Sequence, residues 1–155
     1  MLCGAATSIY NMYTSILVPT DGSAYSSAAA GHAIDLAKQY DATLHILYVV
    51  DTAAYASLDA GSQQVISALK AEGEQATERI EAAAAEAGIT ATTQISMGAP
   101  HKQIVGYATD NDIDLIVMGT QGRTGLNRYL LGSVTERVVR VAHCPVLTVK
   151  NDDAE

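Results

Sequence analysis

The chain has 155 residues and a formal net charge of −8, with 9 basic side chains against 17 acidic ones. This length fits one domain with an adequate core, and the acidic balance argues against binding to duplex nucleic acid or to anionic membranes, which attract clustered lysine and arginine. The cysteines, Cys3 and Cys144, have no metal-ligand spacing and indicate a reducing compartment.

The N-terminal segment and the apolar runs predict a cytoplasmic protein. Residues 1–11 lack the basic n-region and long apolar stretch of a secretory signal, and no apolar run approaches the roughly 20 residues of a membrane span. We treat residues 1–11 as a tail of uncertain status, residues 12–150 as one domain and residues 151–155 as an acidic tail. The acidic, lysine-poor composition also suits a halophilic source, although an ordinary acidic cytosolic protein fits it equally well.

The first part of the chain alternates strand and helix. Residues 15–19 form a β-branched run that predicts a strand, and turn and helix-capping residues follow it at 20–23. Apolar residues at helical spacing predict a helix over residues 24–40. The nearly continuous apolar run at 43–50 is typical of a strand covered on both faces, so we expect it to be central in the sheet.

The rest of the chain continues this alternation. Residues 51–61 have the composition of a loop, and a long helix with one apolar stripe is predicted over residues 62–87, where Gly88 ends it. The remaining elements are a strand, a helix, a strand, a helix and a strand, predicted over residues 89–96, 100–108, 114–119, 133–142 and 145–150.

The element order β-α-β-α-β-α-β-α-β predicts the fold class. Alternating helices and nearly all-apolar strands favour an α/β fold with a doubly wound, open, parallel five-stranded sheet and helices on both faces, as in Rossmann-like proteins. Such sheets bind ligands beyond the carboxyl ends of the strands, where the crossovers diverge. If the first and fourth strands are neighbours, Asp21 and the glycine-rich segment after the fourth strand face each other there.

That glycine-rich segment, residues 119–133, is the most informative in the chain. It lacks the lysine of a Walker A loop and the spacing of the dinucleotide fingerprint. It offers unhindered backbone N–H groups, Arg123, Arg128 and a helix N-terminus at Ser133, which are parts of a phosphate-binding site. The glycines can equally be turn residues only, and Ser133 with Glu136 fits a capping box that gives the serine another use.

Two groups of motifs resemble those of the universal stress protein family over residues 13–150. The first is Val18-Pro19-Thr20-Asp21-Gly22-Ser23. In the second, Gly119, Gly122, Gly132 and Ser133 match at every position the G-x2-G-x9-G-[ST] motif of that family's nucleotide-binding branch. The resemblance implies an adenine nucleotide alpha hydrolase-like fold, ATP binding, and a homodimer formed through the last strand. The Thr148 and Lys150 side chains equally suit the exposed sheet edge of a monomer, where polar and charged residues prevent pairing with another chain.

The resemblance also implies which residues contact the nucleotide. Asp21 and the backbone of Val49 would hold the ribose and adenine, although a turn or N-cap role is the more common one for an aspartate in this position taken alone. The nucleoside pocket would be lined by Pro19, Thr20 and Met118, and the phosphates would be held by Gly119, Gly122, Arg123, Gly132, Ser133, Val134 and Thr135. The N–H groups leave much triphosphate charge uncompensated, so we expect Mg²⁺ or Mn²⁺ to bind through the phosphates.

These features predict an ATP-binding universal stress protein that acts as a nucleotide-dependent sensor or regulator of the stress response, with a protein partner that the sequence does not identify. The alternatives are a slow ATPase or phosphotransferase that uses the same pocket, and a dimeric scaffold that binds no nucleotide. No residue stands out as a catalytic base. The four histidines have no metal-ligand spacing, and Cys144 at the start of a buried strand is expected to be an inert thiol.

Overall fold

Five strands alternate with four helices in the part of the chain that the computed structural model describes, residues 12–52, 62–122 and 130–151. The strands are β1 (Ser15–Thr20), β2 (Thr43–Val50), β3 (Ala91–Met97), β4 (Leu115–Gly119) and β5 (Val146–Val149), and the helices are α1 (Ala24–Tyr40), α2 (Ser62–Glu86), α3 (Pro100–Asp110) and α4 (Ser133–Val141). The tail at residues 1–11 and most of the predicted loop at 51–61 lie outside the described residues.

The strands form one parallel sheet in the order β3-β2-β1-β4-β5. The predicted doubly wound α/β fold is confirmed, and β1 pairs with β4, as the predicted crevice requires. The central strand is β1, whereas we expected residues 43–50; β2 lies one position from the centre. The apolar run of β2 reflects burial on both faces, which an interior position already provides.

The helices cover the two faces of the sheet in pairs. On one face, alanines of α1 and Ile80 of α2 pack against Ile16 and Val18 of β1. On the other face, Ile104 of α3 and Val138 of α4 pack against the opposite side of the sheet. The crossovers through α1 and α2 therefore lie on one face and those through α3 and α4 on the other, so they diverge between β1 and β4.

Asp114 connects the amino ends of β1 and β4 through hydrogen bonds. Its Oδ2 accepts hydrogen bonds from the Thr14 backbone N–H at 2.8 Å, the Thr14 hydroxyl at 2.7 Å and the Ser15 backbone N–H at 3.0 Å. Burial opposes ionisation of the carboxyl, but these hydrogen bonds outweigh it, so the pKa of Asp114 is lowered. The folded chain therefore favours the charged form.

Replacing Asp114 with alanine is expected to lower the free energy of unfolding by about 1–2 kcal/mol at pH 7, since the site is partly exposed. Because the pKa is lower in the folded chain, this contribution is present above the ordinary value of 3.8 and is lost as the pH falls through the folded value. Urea unfolding at several pH values measures both effects. Asp110→Ala, at the exposed end of α3, is the control. If it lowers the free energy of unfolding as much as Asp114→Ala does, the hydrogen bonds of Asp114 are not the cause of the loss.

Candidate functional site

A cavity of about 490 Å³ opens at the carboxyl ends of β1, β2 and β4. It lies where the crossovers diverge, which is where open α/β sheets bind ligands. Its volume is within the range of about 300–1,000 Å³ that is usual for small-molecule sites. The fold therefore positions a cavity suited to a small molecule at the place that the element order predicted.

The residues predicted to contact a nucleotide converge on this cavity. Arg123 is the exception, because it lies outside the described residues, as does Arg128. The others all line the cavity wall: Pro19, Thr20, Asp21, Val49, Met118, Gly119, Gly122, Gly132, Ser133, Val134 and Thr135.

A second group of lining residues was missed by sequence reasoning: Ser26, Leu47, Tyr48, Val50, Asp51, Leu69, Pro100, Ile104 and Gln121. The period-two alternation of β2 was a usable signal for Leu47, because it puts Leu47 on the same face as Val49. Leu69 and Ile104 reach the cavity only because α2 and α3 pack at particular places on the sheet, which no local pattern indicates.

The turn between β1 and α1 is held by its own side chains. The Asp21 Oδ1 accepts from the Ser23 backbone N–H at 2.9 Å, and Ser23 caps α1 by accepting from the Ser26 N–H at 3.3 Å. The Thr20 hydroxyl accepts from the Gly22 N–H at 3.1 Å and donates to the Ser26 hydroxyl at 3.0 Å. Asp21 is therefore both a turn residue and part of the cavity wall, so the two interpretations of it are compatible.

None of the three motif glycines has a positive φ, and the space around them explains two of the three, Gly119 and Gly122. A Cβ on Gly119 would lie 2.9 Å from the backbone carbonyl of Tyr25 in α1, and one on Gly122 would lie 2.5 Å from the Asp21 Oδ2. A Cβ on Gly132 would be 3.4 Å from the nearest atoms, an ordinary contact. Gly119 thus permits close packing of α1, and Gly122 leaves room for Asp21.

The capping-box interpretation of Ser133 is wrong. The N-cap of α4 is Gly132, whose carbonyl accepts from the Glu136 N–H at 2.9 Å, so Ser133 is already the first helical residue. The Glu136 carboxylate instead pairs with Arg140 at 2.6 Å, one turn along the helix. The N–H groups of the first turn, from Ser133 to Thr135, have no acceptor within the helix and border the cavity.

The cavity wall carries negative side chains, whereas the helix ends around it carry positive partial charge. Asp21 and Asp51 are the charged side chains among the described lining residues, and both are acidic. The helices that follow the strands begin at this edge of the sheet, so their positive dipole ends are directed toward it. An anionic ligand would therefore be favoured by backbone N–H groups and disfavoured by two carboxylates, which a bound cation would offset.

Neither His45 nor Cys144 lines this cavity. The His45 Nδ1 is 2.8 Å from the Tyr107 hydroxyl under α3, and burial lowers the pKa of His45. Burial, with a smaller effect from the charge of Asp114, raises the pKa of the Cys144 thiol, as expected for an inert thiol. Among the described residues, no group of three or more His, Cys, Asp or Glu could hold a metal ion, and no helix is long and apolar enough to cross a membrane.

The sequence and the fold are both similar to those of universal stress proteins. The model of the universal stress protein family matches residues 12–150. Universal stress protein MJ0531 of Methanocaldococcus jannaschii is 48% identical over 147 residues, which cover 94% of this chain and 86% of that protein.

Solved structures agree with the sequence comparison. Hypothetical protein MJ0577 superposes with a TM-score of 0.83 at 33% identity, covering 92% of this chain and 99% of that one. A universal stress protein solved in complex with cAMP superposes with a TM-score of 0.63 at 29% identity, covering 89% of this chain and 97% of that one.

Proposed function

Because this chain belongs to the universal stress protein family, we propose that it is an ATP-binding member that acts as a nucleotide-dependent sensor or regulator of the stress response. The observation that carries the proposal is one cavity that is lined by Asp21, by the end of β2 and by the three motif glycines. The relative solved with cAMP supports an adenine nucleotide as the ligand. AMP or another adenine nucleotide would use the same nucleoside contacts.

The nucleoside would be held by the ends of β1, β2 and β4. Pro19, Val49 and Met118 offer an apolar wall to the base, and the backbone of Val49 would contact its polar edge. The Asp21 carboxylate would accept a hydrogen bond from a ribose hydroxyl or bind a cation that the phosphates hold. This arrangement uses the residue types that a nucleoside requires: an apolar slot for the base and an acceptor for the sugar.

The phosphates would be held by backbone N–H groups. Gly122 and the first turn of α4 border the same cavity, and the helix N-terminus favours negative charge. A triphosphate nevertheless carries more charge than these groups offset, and Asp21 and Asp51 lie in the same wall. Mg²⁺ or Mn²⁺ bound through the phosphates would reduce that repulsion.

ATP is expected to bind at least about tenfold more tightly with Mg²⁺ than without it, a difference of about 1.4 kcal/mol. AMP is the matched control, because its single phosphate leaves less charge for the cation to offset. Isothermal titration with each nucleotide, with and without Mg²⁺, measures the four affinities. No heat and no thermal shift with any adenine nucleotide would contradict the proposal and favour a scaffold that binds none.

A slow ATPase or phosphotransferase would use the same cavity but requires a base to activate water or an acceptor. The described lining offers two carboxylates, Asp21 and Asp51, and Asp21 already accepts from the Ser23 N–H. Nothing in the described geometry favours one of them as a base. Phosphate release with a turnover time of seconds would identify an enzyme, whereas a sensor keeps bound ATP intact for hours.

We further propose a homodimer through β5, which lies at an edge of the sheet. The carbonyls of Pro145 and Val149 accept from the N–H groups of Ile116 and Thr120. The backbone groups of the alternate residues, Val146 and Thr148, therefore point away from the sheet. Leu147 on β5 and Val141 at the end of α4 are also exposed. Open backbone groups beside exposed apolar side chains favour pairing with a second copy.

Thr148→Pro is expected to convert the dimer into monomers, because it removes an N–H that faces the partner strand. Val149→Pro is unsuitable as a test, because the backbone of Val149 faces β4, where its carbonyl accepts from the Thr120 N–H at 3.1 Å, and a proline there would disturb the sheet itself. Light scattering at tens of micromolar protein, in salt high enough to screen the acidic charge, measures the mass. An unmodified protein that is monomeric under these conditions would rule out the dimer.

A further inference from the structure

Two buried side chains join the end of β4 to the start of α4. Gln121 follows β4, and its Nε2 donates to the carbonyl of Leu130 at 3.2 Å. Thr135 lies in the first turn of α4, and its Oγ1 donates to the carbonyl of Gly119 at 2.8 Å. Each side chain thus reaches from its own segment to a backbone carbonyl of the other segment.

Both hydrogen bonds are made by buried side chains, where the loss of a hydrogen bond costs the most free energy. Gln121 and Thr135 are each 4% exposed, and both line the cavity. A backbone hydrogen bond from the Gly132 N–H to the Thr120 carbonyl, 2.7 Å long, joins the same two segments. Loss of a buried donor leaves its acceptor unsatisfied, so either substitution should loosen the junction.

We infer that Gln121 and Thr135 are positioning residues that set the distance between the two sets of phosphate-binding N–H groups. This inference rests on the proposed nucleotide-binding function of the cavity. One set belongs to the segment around Gly122, and the other belongs to the first turn of α4. Glycines have no side chain with which to fix their own positions, and hydrogen bonding to a phosphate requires placement within about 0.5 Å.

This role predicts a selective effect on ligand affinity. Thr135→Val and Gln121→Met keep most of the side-chain volume and remove the donor. Each is expected to weaken ATP binding about 5- to 10-fold, the consequence of one lost buried hydrogen bond. Adenosine lacks phosphates, so its affinity should change by less than about twofold. Thr135→Ser keeps the hydroxyl and should bind ATP as the unmodified protein does.

Two further measurements separate positioning from general stability. Thr77→Val is the matched control, because Thr77 is 3% exposed and its hydroxyl donates to the Gly73 carbonyl at 2.9 Å within α2. This control should leave the ratio of ATP to adenosine affinity unchanged. Without any nucleotide, the Gly132 amide should exchange its hydrogen faster in the Gln121 and Thr135 variants than in the control.

Equal losses of ATP and adenosine affinity in the Gln121 and Thr135 variants would overturn the inference, because a merely structural role predicts them. Unchanged ATP affinity in both variants would also overturn the inference. The proposed function would still stand in that case, because the unmodified protein binds ATP. Failure of the unmodified protein to bind ATP would overturn the proposed function and the inference together. A selective loss of ATP affinity, restored by Thr135→Ser, supports the inference.

Discussion

Replacing Gly122 with valine is expected to lower the affinity for ATP at least about 100-fold, or about 2.7 kcal/mol, while the fold stays native. A Cβ at this position would lie 2.5 Å from the Asp21 Oδ2, so the end of the carboxylate would have to shift. The valine would also occupy the space in which the backbone would approach a phosphate in the proposed complex. Isothermal titration with ATP and Mg²⁺ measures the loss, and circular dichroism checks the fold.

Gly132→Val is expected to give a similar loss, because its side chain would stand at the start of α4 beside the N–H groups that we propose bind phosphate. Gly106→Val in α3 is the control, since a Cβ there meets nothing within 4 Å and the residue does not line the cavity. If both motif variants bind ATP as the unmodified protein does, these glycines are turn residues only.

Replacing Gly119 with alanine is expected to lower the free energy of unfolding by about 2–3 kcal/mol, the upper part of the range for overpacking a core. The added Cβ would lie 2.9 Å from the carbonyl carbon and oxygen of Tyr25. These are backbone atoms of α1 and cannot rotate away, so either α1 or β4 has to shift. Urea unfolding measures the change.

Gly31→Ala, on the exposed side of α1, is the matched control for Gly119→Ala. A Cβ at Gly31 meets nothing within 4 Å, and alanine favours the helix, so a gain of about 0.5–1 kcal/mol is expected. The two substitutions should thus have opposite signs. A Gly119→Ala variant as stable as the unmodified protein would show that the space between Gly119 and the Tyr25 carbonyl can accommodate a Cβ.

Element types and their order were predictable because local patterns carry them. The five residues of β4, Leu115–Gly119, are all buried, which leaves the apolar run that marks such a strand. Strand order was harder to predict, because β1 and β2 are both covered on two faces and have similar runs. The position of β1 at the centre follows from the crossover through α3, which returns the chain to the other side of β1.

The beginning of α4 shows where a local motif is insufficient. Ser133-Val134-Thr135-Glu136 has the spacing of a capping box, but the backbone of Gly132 is extended, with φ −63° and ψ 153°, and the helix begins just after it. The hydrogen bond from Thr135 to the Gly119 carbonyl holds this turn against β4. The helix therefore starts where a tertiary contact holds its first turn, and the sequence pattern does not reveal that contact.

The site was predictable to the extent that its residues follow strands. Asp21 follows β1 and Gly122 follows β4, so the fold class brings them together. The requirement for glycine at 119 comes instead from the backbone of Tyr25, a residue far away in the sequence. Likewise, Gln121 acquires its role through Leu130, and Leu69 reaches the cavity through the packing of α2.

Titration of ATP and Mg²⁺ into ¹⁵N-labelled protein, followed by amide NMR spectra, tests the central proposal most directly. Binding of ATP in the cavity at the carboxyl ends of the strands predicts saturable shifts in the amides of Asp21, Val49, Gly122 and Ser133, which line it. The amide signals around the second cavity, beside Lys38 at the amino ends of the strands, should not shift. Unchanged spectra at millimolar ATP, or shifts confined to that second cavity, would contradict ATP binding at the proposed site.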